Sequence, residues 1–220
     1  MIITYFGKEF FKVQVGDTVL AFNPISKDSK LKTSRFGADI ALITVNHEDY
    51  NGADQVSFGE KNPLILSGPG EYETKGIFIR GIPSESSAGD GLPAPGVPRQ
   101  AGKKINTIYT LSVDKMNICF LGALSSKALP AESREAIDGV DILFVPIGGE
   151  GVLSPADAYS IAVSIEPKVI IPMDYGDEAV LKKFLKEGGA EKAEPLDKFT
   201  VKQKDIEGME GEIIVLTPSA

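Results

Sequence analysis

Hydrophobic positions in the first part of the chain come in short blocks. "IITYFG", "EFFKVQV" and "TVLAFNP" are rich in β-branched and aromatic residues, and are separated by Gly7, by Gly16-Asp17 and by Asn23-Pro24. Blocks of this length, bounded by turn residues, predict β-strands. "DIALIT" is a nearly unbroken apolar run, the pattern of a strand buried on both faces. "PLILSG" and "GIFIRGIP" continue the series, and Asp114-Lys115 separates "NTIYTLSV" from "MNICFLG" in the manner of a hairpin. Between these last two pairs, residues 84–104 are crowded with Gly, Pro and Ser and predict a loop.

The period changes in the second half. "PAESREAI" predicts a short helix, "VDILFVPIGG" a strand entering a glycine turn, and "SPADAYSIAVSI" a helix whose start is marked by Ser154 as N-cap, Pro155 at the first helical position and Asp157 at the third. Glu166-Pro167 stops that helix, and "KVIIPMDYG" reads as the next strand. Asp177 caps the amphipathic "EAVLKKFLKEGG", which Gly188-Gly189 closes, and "DKFTVKQ" and "EIIVLTP" read as two further strands. Strands first and βα alternation afterwards predict an α/β protein of two sheets with helices outside. The whole chain, 1–220, is expected to form one domain.

Composition narrows the partners. A formal charge of −8, 42% hydrophobic residues and 25% charged residues describe a globular chain, not a surface made to neutralise phosphates. No nucleic acid is expected, and the absence of a long apolar run leaves no membrane span to expect either. The N-terminus lacks the features of a signal peptide, which suggests a cytoplasmic protein. Cys119 is the only cysteine, so no internal disulfide can form; in "NICFLGAL" it reads as a buried, inert thiol.

Four polar turns follow buried strands: "TVNHEDYNG", "GPGEYETKG", "FLGALSSK" and "PMDYGD". Strand ends in α/β sheets are where ligands usually bind. The first turn holds His47, the only histidine in the chain, beside Glu48, Asp49 and Tyr50.

In order and spacing these segments resemble the metallo-β-lactamase superfamily, in particular its branch of zinc-dependent hydrolases similar to ascorbate-6-phosphate lactonase. The similarity runs from "YFGKEFFKV" and "AFNP" through "ADIALITVNHEDYNG" and "NTIYTLSVDKMNICFLGAL" to "VDILFVPIGGEGVLSPADAYSIAVSIEPKVIIPMDYG". It implies the αββα fold, two mixed β-sheets face to face with helices on the outer sides. It also implies where metal ligands would stand, and most are substituted. Val45 takes the place of the first histidine, His47 and Asp49 match the second histidine and the aspartate, and Tyr50 replaces the last histidine of that run. Ala123 stands for the bridging aspartate and Asp174 for the C-terminal histidine, and the third-motif histidine, expected between Pro83 and Ser87, is missing. Lys8 replaces the histidine of a Gly-His pair and Asn23 the aspartate of an Asp-Pro pair.

A dinuclear zinc site needs several neutral imidazoles and a bridging carboxylate. One histidine and one cysteine cannot supply them, so zinc is not expected. Three readings stay open. The protein is a non-catalytic member of the fold that binds a small molecule or a protein. Alternatively, it is a hydrolase of a lactone or phosphodiester, with a weakly held Mg²⁺ or Mn²⁺ on Asp49 and Asp174 near His47, or without metal, with His47 oriented by Asp49 or Asp174 as general base and Ser125, Ser126 or Tyr175 as polar neighbours. Or it is a homo-oligomer joined through residues 84–104. The residual metal candidates are His47, Asp49 and Asp174, the catalytic candidates His47 and Asp49. Tyr50, Glu71, Tyr72, Ala123 and Tyr175 are candidates to line the cleft. Asp49 is also a candidate cap for a short helix.

Overall fold

The computed structural model describes residues 1–88 and 104–219. Two mixed sheets pack face to face. The first contains β1 (Ile2–Tyr5), β2 (Phe11–Val15), β3 (Thr18–Phe22), β4 (Ile40–Leu42), β5 (Leu64–Leu66) and β12 (Phe199–Thr200), in the order β12-β1-β2-β3-β4-β5. The second contains β6 (Gly70–Thr74), β7 (Ile77–Ser86), β8 (Lys104–Val113), β9 (Met116–Phe120), β10 (Ile142–Pro146), β11 (Val169–Met173) and β13 (Glu212–Ile213), in the order β13-β11-β10-β9-β8-β7-β6. Antiparallel ribbons lie at one side of each sheet and parallel strands at the other.

The core between the sheets is made by the inward side chains of both, with Phe11, Phe22, Phe120 and Phe144 at its centre. Their rings meet at 4.8 Å between centroids for Phe11 and Phe144, and again for Phe22 and Phe120. A second core lies between the outer face of the second sheet and the helices α1 (Ala131–Glu135), α2 (Pro155–Ile165) and α3 (Glu178–Glu187), where Leu143, Val145, Ile161 and Phe184 are buried. The outer face of the first sheet is covered differently. Phe6, Phe10 and Phe36 stack there at 5.0–5.5 Å over Val19, Ala21 and Ala41, with a 3₁₀ turn at Ala53–Val56 beside them.

Helix α2 starts as its sequence predicts. Ser154 Oγ accepts the backbone N–H of Asp157, with Pro155 at the first helical position, and left-handed Glu166 (φ 54°) ends the helix. Asp177 caps α3 by accepting the N–H of Val180. Asp114 and Lys115 both take positive φ, as a two-residue hairpin turn between β8 and β9 demands.

The structure corrects four expectations. "GEYET" is a strand, β6, paired with β7, and only Lys75-Gly76 forms the turn. Residues 84–86 belong to β7 and Lys104 to β8, with Ser86 opposite Lys104, so the expected loop is shorter at both ends; residues 89–103 of it lie outside the described residues. Asp49 caps no helix, because the first helical turn after it begins at Ala53. The last two strands shrink to two residues each, since β12 and β13 are edge strands with one neighbour. Among the described residues no helix is long and apolar enough to cross a membrane.

Candidate functional site

The loops after β1, β4, β9 and β11 converge at one end of the sandwich. The chain leaving β4 turns through His47, whose carbonyl accepts the N–H groups of Tyr50 (2.9 Å) and Asn51 (3.0 Å). That turn sets the two candidates His47 and Asp49 close together. His47 Nδ1 accepts the Asp49 backbone N–H at 3.2 Å and lies 3.8 Å from Asp49 Oδ2. Asp49 Oδ1 in turn accepts from Ser29 Oγ at 2.5 Å. His47 thus bonds within its own turn and Asp49 to that turn and to Ser29, and neither bonds to Asp174.

Tyr50 points the other way. It is 1% exposed and packs with Val45, Ala88, Ala123 and Val152 in a small apolar cluster of its own. Its hydroxyl donates to Asp174 Oδ2 at 3.4 Å, a long bond. Burial first, and then the negative charge of Asp174, push its phenol far above the ordinary range.

Asp174, at the end of β11, is 6% exposed and left-handed (φ 56°). Its backbone N–H donates to the Lys8 carbonyl at 2.7 Å, and Lys8 Nζ donates to its Oδ1 at 2.5 Å. Lys8 is likewise left-handed (φ 55°), and its carbonyl also accepts Tyr5 Oη–H at 2.8 Å. Its ammonium lies 5.5 Å from the centre of the Tyr50 ring. Burial opposes the charge on Lys8, but Asp174, then Glu9 and Asp49, outweigh it and raise its pKa. Burial likewise raises the pKa of Asp174, against the pull of Lys8.

Behind this pair sits Glu9, 0% exposed. Its Oε2 accepts from Asn23 Nδ2 at 2.8 Å, while its Oε1 has no hydrogen-bond partner among the described residues. Asn23 (φ 42°) also donates to Thr44 Oγ1 and accepts the Thr44 N–H, each at 2.8 Å, which ties β3 to β4. Burial, then Asp174, push the Glu9 carboxyl well above its ordinary value, and Lys8 and Asn23 only partly pull it back. Among the described residues Glu9 has no ion pair, and its setting favours the protonated form.

The remaining sequence candidates make their bonds with other groups. Glu71 is exposed on the edge strand β6 and meets Arg80 at 3.6 Å, while Tyr72 donates to the Gly68 carbonyl at 3.0 Å. Tyr175 donates to Leu216 O at 3.0 Å, and burial pushes its phenol up to about 12. Ser125 donates to the Glu85 carbonyl and Ser126 accepts the Ala128 N–H, neither toward His47. Cys119 is buried on β9, and burial holds its thiol far above the range of a nucleophile. Glu9 was missed by sequence reasoning, and Lys8 was noticed only as a departure from a motif. A Lys-Glu pair after Gly7 reads as a solvated turn, and nothing nearby announces a partner 166 positions away.

Two mixed sheets packed face to face, with helices outside and a convergence of loops at one end, define an αββα sandwich. The chain belongs to the β-lactamase superfamily, whose domain matches residues 2–174. A metal-dependent hydrolase of Carboxydothermus hydrogenoformans is 26% identical over 209 residues, covering 82% of this chain and 87% of that protein. One from Bacillus licheniformis is 23% identical over 206 residues, covering 83% and 88%. Among solved structures, a zinc-dependent hydrolase of the metallo-β-lactamase superfamily from Thermotoga maritima superposes with a TM-score of 0.74 at 23% identity, covering 98% of this chain and 97% of that one. A metallo hydrolase from Ignicoccus hospitalis superposes with a TM-score of 0.61 at 18% identity, covering 100% and 96%. Among the described residues of this chain, no group of three or more His, Cys, Asp or Glu side chains could hold a metal ion.

Proposed function

We propose that the chain is a metallo-β-lactamase-fold protein that works without a dinuclear zinc centre, binding a small molecule or a protein instead of hydrolysing a substrate. The observation that carries this reading is the Lys8 ammonium, 2.5 Å from Asp174 Oδ1. A second cation on the same carboxylate would meet a full positive charge at contact distance, where repulsion in a partly buried setting amounts to several kcal/mol, on the order of 4 at 4 Å. The donor set agrees. Val45, Tyr50 and Ala123 offer no imidazole or carboxylate and pack against one another, and His47 Nδ1 is already an acceptor within its own turn. These residues do not fit two zinc ions, so a zinc-bound hydroxide has no part in the proposed function.

Metal analysis of the purified protein tests it. Less than about a tenth of an equivalent of zinc is expected, since a site lacking three or four N or S donors does not retain that ion. No turnover is expected on lactone and phosphodiester substrates. Stoichiometric zinc together with hydrolysis would overturn the proposal.

The relatives' names favour a second reading, a hydrolase using a hard cation on Asp49 and Asp174. It predicts that Mg²⁺ or Mn²⁺ raises the melting temperature, and that Asp49→Asn or Asp174→Asn removes the effect. Both carboxylates already have partners, Ser29 and Lys8, which weighs against it.

A further inference from the structure

The groups around Lys8 make an unusual pocket. Glu9 and Asp174 are buried acids, and the Lys8 ammonium lies 2.5 Å from Asp174 Oδ1. Glu9 Oε1, wholly buried, has no hydrogen-bond partner among the described residues. Such an oxygen costs free energy unless a positive charge, a proton or a donor compensates it. Tyr50 closes one side with its hydroxyl on Asp174 and its ring 5.5 Å from the ammonium. Carboxylate oxygens, a phenol and the face of an aromatic ring are a cation-recognition set.

We propose that the pocket formed by Asp174, Tyr50 and Glu9 is a cation-binding site whose resident ion is the ammonium of Lys8. The chain thereby carries in its own side chain the positive charge that a metal-dependent protein takes from solution. When that side chain is cut back, the pocket accepts a free cation of matching chemistry, a small primary alkylammonium. The inference rests on the zinc-free reading above and adds what replaces the metal and which ligand class the pocket takes.

The position suits the experiment. Lys8→Ala keeps a β-carbon at the same positive φ, so it changes the charge and the space without changing the backbone demand. Thermal melts of Lys8→Ala would be followed with increasing n-propylammonium chloride, with sodium chloride at equal ionic strength as control. Lys8→Ala should melt several degrees below the natural protein. Propylammonium should restore at least a third of the loss, with saturation and well above sodium chloride. The double variant Lys8→Ala/Asp174→Asn should not respond.

A Lys8→Ala protein as stable as the natural one overturns the proposal. So does a propylammonium effect equal to that of sodium chloride, or one that survives in the double variant. If Lys8→Ala does not fold, Lys8→Arg and Lys8→Met decide: the proposal requires Arg to fold and melt well above Met, and equal stability of the two overturns it. Zinc bound stoichiometrically by the natural protein would sink the zinc-free reading. Absence of rescue in Lys8→Ala, with no zinc in the natural protein, would sink this inference alone.

Discussion

Lys8 and Asp174 hold each other twice, by a backbone hydrogen bond of 2.7 Å and a side-chain ion pair of 2.5 Å running in opposite directions. Both residues are left-handed, a conformation that persists only where surrounding contacts over-determine it. The link joins the turn after β1 in one sheet to the end of β11 in the other. Removing one partner of a buried pair strands a charge and costs roughly 3–5 kcal/mol. Lys8 is 23% exposed, so Lys8→Met should cost about 3 kcal/mol in a urea or guanidinium titration. Lys8→Met/Asp174→Leu should lose less than the sum of the single variants; strict additivity would refute the coupling.

Restoring one absent ligand should not restore a site. Val45 is 2% exposed and packs against Tyr50 and Ala123, so a histidine there buries an imidazole among apolar groups. Val45→His should lose about 1–3 kcal/mol in chemical denaturation. Its zinc content should stay at the level of the natural protein, and a rise to one equivalent would show that the remaining residues are closer to a metal site than their contacts suggest.

Glu9 should govern how stability responds to pH. Its folded pKa lies well above its ordinary value of 4.5, so the folded state holds a proton that the unfolded state releases. The associated stability is complete below about 4.5 and is lost as pH rises through the folded value. Glu9→Gln mimics the protonated form. It should flatten the decline in stability from pH 5 upward, as read from melts across pH 4–9 in one buffer system. An unchanged slope would assign the decline to another group.

Gly148 tests the turn against which Asp174 rests. A β-carbon built at Gly148 would fall 2.2 Å from the Asp174 carbonyl oxygen, a backbone atom that cannot swing away. Gly148→Ala should destabilise by about 1–3 kcal/mol, the usual range for overpacking. Gly149, with open space around its β-position, is the control for crowding, although its φ of 79° adds backbone strain of its own to any substitution there.

Much of this fold is legible in the residue pattern, for identifiable reasons. "DIALIT" and "VDILFVP" are apolar on both faces because β4 and β10 lie inside their sheets, and Ser154, Pro155 and Asp157 mark the start of α2 through groups that bond locally. β6 is not legible, because an edge strand with exposed Glu71 and Glu73 has the composition of a turn. The site divides in the same way. His47, Asp49 and Tyr50 are neighbours in sequence and share one turn, so they can be named together, although the fold sends Tyr50 inward and leaves the other two at the surface. The Lys8–Asp174 pair and the buried Glu9 depend on contacts between opposite ends of the chain, and no local signal carries that information.

The β7–β8 ribbon has a use beyond its place in the sheet. Because Ser86 and Lys104 are register partners, the chain leaves the ribbon and re-enters it at one point. Just past that point the chain is pinned to the candidate site: the Ser87 N–H donates to the Gly151 carbonyl at 3.3 Å, and Ala88 is buried in the cluster of Val45, Tyr50, Ala123 and Val152. A one-residue slip of the ribbon would withdraw Ala88 from Tyr50, so the register that builds the sheet also sets a wall of the site.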